Sequence, residues 1–221
     1  METTSRNSYT YFRKYLFGDL EASGEEYSDY YIRSPRISKQ ELIKYLIQLF
    51  DNYETDVAHY SDCQIAEGIT YIFDSSYSDW VFALRQGPAP LEDRLKAILG
   101  LKNIFSQCFE KRCVPSLANC NEEGNPLNYI CYLLWEISPL ANCKYLRDRE
   151  VLYQAIAEVM EFSLKLNNKA CIESGLHGLG HIVCSYPKAS RIIERNIRRF
   201  RRIDPRLRSY AKSAMKGQIM R

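Results

Sequence analysis

From Ser38 onward, apolar residues recur every three to four positions almost without interruption, and that period predicts helices. Ser38-Lys39-Gln40-Glu41 is a capping box, a serine at the N-cap with a glutamate three residues later. It predicts a helix running through Leu42, Tyr45, Leu46 and Leu49. A second helix is expected over Ser61 to Asp74, with Ile65, Ala66, Ile69, Ile72 and Phe73 on one face. Gly87-Pro88-Ala89-Pro90 breaks the chain, and Pro90-Leu91-Glu92-Asp93 opens a third helix with acids in its first turn, continuing to Phe109. A loop from Cys113 to Pro126 precedes a helix over 127–137. Further helices are expected over 147–166, 168–184 and 188–203, and a last one starts at Pro205. Upstream, a short helix is expected over Tyr11–Leu20. No stretch alternates with period two for long enough to make a strand, so the expected fold class is all-α.

A degenerate repeat bears on how the helices are arranged. Gly68-Ile69-Thr70-Tyr71-Ile72, Gly100-Leu101-Lys102-Asn103-Ile104 and Gly175-Leu176-His177-Gly178-Leu179 share a glycine followed by apolar residues one and four positions on. Their starts lie 32 and then 75 residues apart, and 75 is about twice 37. A period in the thirties is what stacked helix pairs produce, since each pair needs a neighbour to cover its apolar face. The expected architecture is a right-handed α-solenoid of helix pairs. A compact irregular helical bundle, with the three glycines there by chance, is the alternative. The chain divides into a Tyr-rich N-terminal arm or cap (1–37), a helical-repeat body (38–187) and basic amphipathic C-terminal helices (188–221).

Composition narrows the classes. The 221 residues are 46% hydrophobic and 26% charged, which excludes a disordered or collagen-like chain. No run of about 18 apolar residues exists to span a membrane. Met1-Glu2-Thr3-Thr4-Ser5-Arg6 leads to no apolar core of a secretory signal, so the expected location is cytoplasmic. Eight cysteines could pair, but most sit inside apolar helical patterns such as Tyr129 to Trp135, where a free thiol behaves as a small hydrophobe. Cys108, Cys113 and Cys120 gather near a loop, yet contain no Cys-x-x-Cys pair to turn around zinc. Residues 188–221 carry 12 Lys and Arg against Glu194 and Asp204, a net +10. The chain total of +3 leaves −7 for the rest. An acidic body and a basic tail speak about partners, not about fold.

The segment from Lys169 to Ile182 holds the densest candidate chemistry. At 100° per residue, Ile172, Leu176, Leu179 and Val183 form a core stripe, and Cys171, Gly175 and Gly178 a flank open to a neighbouring helix. Glu173, His177, His181 and Cys184 form a third stripe roughly 130° from the core. Three readings fit it. Two histidines at i, i+4 with Glu173 or Cys184 could ligate a metal, although the order is not the His-Glu-x-x-His of zinc peptidases. The stripe could line a groove and hydrogen-bond a partner, or the histidines could serve only packing.

The run Ala170…Glu173-Ser174-Gly175-Leu176…Leu179-Gly180 resembles the inner helix of bacterial HEAT-like repeats, whose pattern is Ala-x-x-x-Ala-Leu-x-x-Leu-Gly, with Gly175 where that pattern has alanine. Leu176-His177-Gly178-Leu179-Gly180-His181 is similar to a stretch of small bacterial helical-repeat proteins. The likeness covers about 15 of 221 residues. It implies a bacterial α-solenoid whose inner helices line a binding face without catalytic apparatus. The family includes scaffolds, adaptors, toxin-neutralising immunity proteins and nucleic-acid binders, and the resemblance does not choose among them.

Phosphate-loop, nucleophile-elbow and dinucleotide-fold signatures are absent, and His59, His177 and His181 are the only histidines. The expected function is therefore non-catalytic and needs no cofactor or metal. It is binding of a protein partner, of adaptor or immunity type, through Glu67, Tyr71 and Asp74 on one helix and Glu173, His177 and His181 on another. The alternative lies in the tail. Ala189, Ile193, Ile197 and Phe200 make its apolar stripe, and Arg191, Arg195, Arg198, Arg199 and Arg202 its outer face, a row that could neutralise nucleic-acid phosphates or an acidic partner.

Overall fold

The computed structural model describes residues 6–18, 34–117 and 125–219, and among these the fold is all-helical. Ser8 caps α1 (Tyr9–Phe17), whose Phe12, Leu16 and Phe17 are buried. The expected tyrosine arm thus starts as a helix two residues earlier than its pattern suggests. Tyr27, Tyr30 and Tyr31 lie outside the described residues, as does the rest of the loop leading to Ser34. The capping box at Ser38 is present in full and starts α2 (Lys39–Asp51). A second one, Ser61 with Gln64, starts α3 (Asp62–Phe73). The sequence pattern does not anticipate α4 (Trp80–Gln86), seven residues too short to display a period. Phe12 stacks on its Trp80 at 5.2 Å, which ties α4 to α1.

The expected long helix from Leu91 divides. It runs as α5 (Leu91–Asn103), widens into a π turn at Ile104–Phe109 and ends in a short turn at Glu110–Arg112. A π turn holds an extra residue, so the side chains beyond it are rotated by about 100° from where an α-helix would put them. Asn125 and Pro126 start α6 (Pro126–Ile137), with Asn125 Oδ1 accepting from Leu127 N at 2.9 Å. Buried Asn128 clamps the preceding loop from both sides, accepting from Val114 N and donating to Val114 O, each at 2.8 Å. Then come α7 (Arg149–Ser163), α8 (Lys169–Ile182), α9 (Lys188–Ile203) and α10 (Pro205–Ala214).

The packing partners place α8 at the centre of the C-terminal half. It rests on α6, α7, α9 and α10 together. Upstream, α2 packs on α5, α5 on α7, α1 on α3, and α3 on α6. One continuous hydrophobic core runs from Phe12 to Ala214. No described helix is long and apolar enough to cross a membrane.

Candidate functional site

The anchoring of α8 begins at its first turn. Asn168 is its N-cap, with Oδ1 accepting from Ala170 N at 3.0 Å while Nδ2 donates to Cys113 O at 2.8 Å. The Glu110 carboxylate, delivered by the π turn, accepts from Asn167 N at 2.9 Å and Asn168 N at 3.0 Å. A carboxylate there satisfies otherwise orphan donors and complements the positive helix end. Lys169 reaches across to Asp204, the N-cap of α10, at 3.2 Å. Farther along, Gly175 lies against Met160 and Ser163 of α7, and Gly178 against Trp135 of α6. Missing side chains therefore bring two helices onto α8, and twelve of its fourteen residues are buried.

That burial corrects the expectation for the polar stripe. Glu173 is 4% and His177 0% exposed, so neither faces solvent or a macromolecular partner. The stripe does stand off from Ile172 and Leu176, but α6 and α10 cover its Glu173 and His177, leaving His181 half-buried and Cys184 exposed. His177 sits between two tyrosine rings, Tyr132 of α6 with centroids 4.4 Å away and Tyr210 of α10 at 6.4 Å. Its Nδ1 is 2.5 Å from the Tyr210 hydroxyl. Its Nε2 is 3.0 Å from His181 Nε2 and 3.3 Å from Glu136 Oε2. The Glu136, His177 and His181 ligand atoms all lie within 4.8 Å of one another. Exposure decreases inward along the series, with Glu136 exposed, His181 half-buried and His177 enclosed.

Burial and neighbouring charges shift several titrating groups of this cluster. Burial, and then the neighbouring His181, push the His177 pKa down to about 4, against the pull of Glu136, so the imidazole is neutral at neutral pH. Tyr210 is pushed up, first by burial and then by Tyr132 and the Glu173 and Glu136 carboxylates. Tyr132 is raised too, chiefly by burial. A neutral imidazole carries one proton on its two nitrogens, so of the His177 contacts, Nδ1 to Tyr210 and Nε2 to Glu136 and His181, the ring donates on one side and accepts on the other.

The other residues singled out for a protein partner are dispersed. Tyr71 is not at the surface. Its hydroxyl accepts from Tyr15 at 3.0 Å, and its ring meets Trp80 edge-on at 5.1 Å. Asp74 is the C-cap of α3, half-buried, and its Oδ1 accepts from Ser76 N at 2.8 Å. Glu67 is exposed, and Cys63 donates to it at 3.6 Å. Conversely, Glu136, Tyr132 and Tyr210 escape the sequence reading. Tyr132 and Glu136 are spaced i, i+4 on α6, a polar line down an otherwise apolar helix, and that spacing is the signal available.

On α9, the apolar stripe is buried as its period demands, with Ala189, Ile193 and Phe200 fully enclosed and Ile197 half-buried. Arg191, Arg195, Arg198 and Arg202 are exposed, and Arg195 pairs with Glu161 at 3.3 Å. Arg199 departs from the expected outer face. It turns onto the C-terminal end of α7, donating to Leu164 O at 2.5 Å and Leu166 O at 2.7 Å, which satisfies terminal carbonyls. Ile197, Arg198, Arg202 and Arg208 line an open cleft of about 470 Å³.

No disulfide joins the described cysteines. Burial pushes the Cys108 thiol up to about 12 and Cys143 to about 11, and Cys131 rises well above the usual thiol range beside Cys113 and Cys171. Cys120 lies outside the described residues. Comparison with protein-family models, with curated proteins and with solved structures finds no match to this chain.

Proposed function

We propose that this chain is a non-catalytic, HEAT-like α-solenoid of stacked helix pairs that binds nucleic acid through the arginine face of α9 and α10. The observation that carries this is the cleft in which Arg198, Arg202 and Arg208 converge with no carboxylate paired to them among the described residues. Unneutralised guanidiniums converging on an open cleft fit the phosphate backbone, where each contact releases counterions. Arg191 and Arg195 extend the face along α9, and the net +10 of the last 34 residues supplies the field. Few aromatic side chains lie in this region to stack on bases, which favours duplex over single strands.

The test is a salt titration with a random duplex, followed by fluorescence anisotropy. Four phosphate contacts, one each from Arg191, Arg198, Arg202 and Arg208, imply a slope of log affinity on log salt of about −3.6, or roughly a hundredfold loss between 50 and 200 mM salt. Exchanging Arg198, Arg202 and Arg208 for alanine should flatten that slope by about 3. Affinity independent of salt, or no binding at 50 mM, would refute the reading.

Binding of a protein partner, of adaptor or immunity type, is the second reading. The observation that favours it is a pair of exposed tyrosines outside the arginine face, Tyr129 on α6 at 69% and Tyr145 ahead of α7 at 86%. Tyrosine is enriched among the residues that anchor interfaces. The six residues first singled out for that role support it less, because only Glu67 among them is exposed, the others being half-buried or buried.

A further inference from the structure

We propose that Glu136 Oε2, His177 Nε2 and His181 Nε2 form a binding site for one divalent transition-metal ion of the zinc type, with Tyr210 as a positioning residue behind His177. The inference stands apart from the arginine face and would survive its failure.

Three observations carry it. The first is spacing. Ligands about 2.0–2.2 Å from a common ion sit roughly 3.0–3.6 Å from each other in tetrahedral or octahedral arrangements. The two edges that meet at His177, 3.0 Å between the imidazole nitrogens and 3.3 Å from nitrogen to carboxylate, fall in that range; the third, from His181 to Glu136, is bounded at 4.8 Å, a span that the exposed Glu136 side chain can shorten on binding. The second is convergence: His181 Nε2 and Glu136 Oε2 both approach the same atom, His177 Nε2, so three potential ligand atoms from two helices meet at one corner. The third is support from outside the ligand set. The imidazole that ligates a metal is characteristically oriented by a hydrogen bond from its other nitrogen, and Tyr210 occupies that place on Nδ1 while Tyr132 flanks the ring.

Two nitrogens and one carboxylate select zinc and its neighbours over calcium or magnesium, which take all-oxygen sets. The gradient from exposed Glu136 to enclosed His177 gives the ion an entry side. Ligands from α6 and α8, with Tyr210 on α10, mean that a bound ion would tie three helices together.

The experiment is competition of zinc between the full chain, freed of metal by chelation and dialysis, and a chromophoric chelator, with melting curves recorded in parallel. One zinc per chain is expected, together with a rise in melting temperature. Glu136→Gln and His181→Ala alter exposed or half-exposed residues and should fold. Each should weaken zinc binding at least tenfold and abolish the thermal shift. Tyr210→Phe should weaken binding by about 10–100-fold while the one-to-one stoichiometry remains. Cobalt substitution distinguishes the ligands, because thiolate ligation adds an ultraviolet charge-transfer band that a nitrogen–oxygen set lacks. No zinc uptake, unchanged affinity in both ligand variants, or a thiolate band would each overturn the assignment.

Discussion

Replacing Gly175 with alanine tests whether the close approach of α7 and α8 is a structural requirement. In an exposed helix the substitution would stabilise by about 1 kcal/mol, since glycine loses more backbone freedom on folding. Here the added methyl would lie 2.1 Å from Ser163 Oγ, 2.7 Å from the Met160 carbonyl oxygen and 3.0 Å from Leu164 Cδ2. The serine cannot simply rotate away, because it is fully buried and its hydroxyl donates to that same carbonyl at 2.7 Å. The carbonyl is backbone and can yield only if the two helices separate. Overpacking of this kind costs about 1–3 kcal/mol, and loss of the serine bond adds about 1 kcal/mol. After the helix-propensity gain, the expected net loss is about 1–3 kcal/mol, or several degrees in melting temperature for a chain of this length. Urea unfolding followed by circular dichroism measures it as a lower midpoint at unchanged slope. Gly100→Ala is the companion measurement. There the nearest atoms would be Phe50 Cβ at 2.9 Å and two of its ring carbons at 3.3 and 3.6 Å, a milder overlap than 2.1 Å, so its loss should be smaller. A Gly175→Ala protein as stable as the parent, or more so, would refute the argument.

The charges and thiols give two more expected outcomes. Asp204 is held well below the usual carboxylate range, chiefly by Arg206, with Lys169 contributing. A depressed pKa gives stability that is present at neutral pH and lost as pH falls below the unfolded carboxylate value near 4. Asp204→Asn should therefore lose about 1–2 kcal/mol at pH 7, with the gap to the parent closing as pH falls below about 4. An equal gap at pH 7 and pH 3 in urea midpoints would contradict this. A thiol-specific aromatic disulfide should label exposed Cys63 and Cys184 in the native protein, and Cys108, Cys131 and Cys143 only after unfolding. Mass mapping that finds Cys108 labelled in the native state would sink that ordering.

The helices are legible in the sequence where their signals are local. The Ser38 capping box, the Pro205 start and the 188–203 stripe are set by residues within a turn or two of each other, and the start of α6 is read one residue late, at 127 instead of Pro126. The π turn after Asn103 and the short α4 are not legible, because neither alters the hydrophobic period enough to register. The wheel of α8 places Glu173, His177 and His181 on their own face correctly but misjudges what that face meets. A helix flanked by four others has no outward side, so angular distance from the core stripe ceases to measure exposure. The same limit explains Arg199, which lies on the polar side of α9 by period and is drawn inward by the carbonyls of Leu164 and Leu166. Glu136 and Tyr210 join His177 from 41 and 33 residues away, a proximity that only the packing of α6 and α10 on α8 creates.

The enclosure of α8 also sets a clock. A helix with almost every residue buried and neighbours on all sides offers no partial opening of its own, so its amide protons should exchange only when the C-terminal half unfolds as a unit. The cover over His177 is different in kind, because α10 is a ten-residue segment that starts at an ion-paired cap and packs on α8 and α9. Fraying of that segment would uncover the imidazole from the Tyr210 side without unfolding α8. On that side, the access of solvent to His177 is governed by the persistence of Tyr210 and Asp204 in α10, on a timescale shorter than the lifetime of the fold around it.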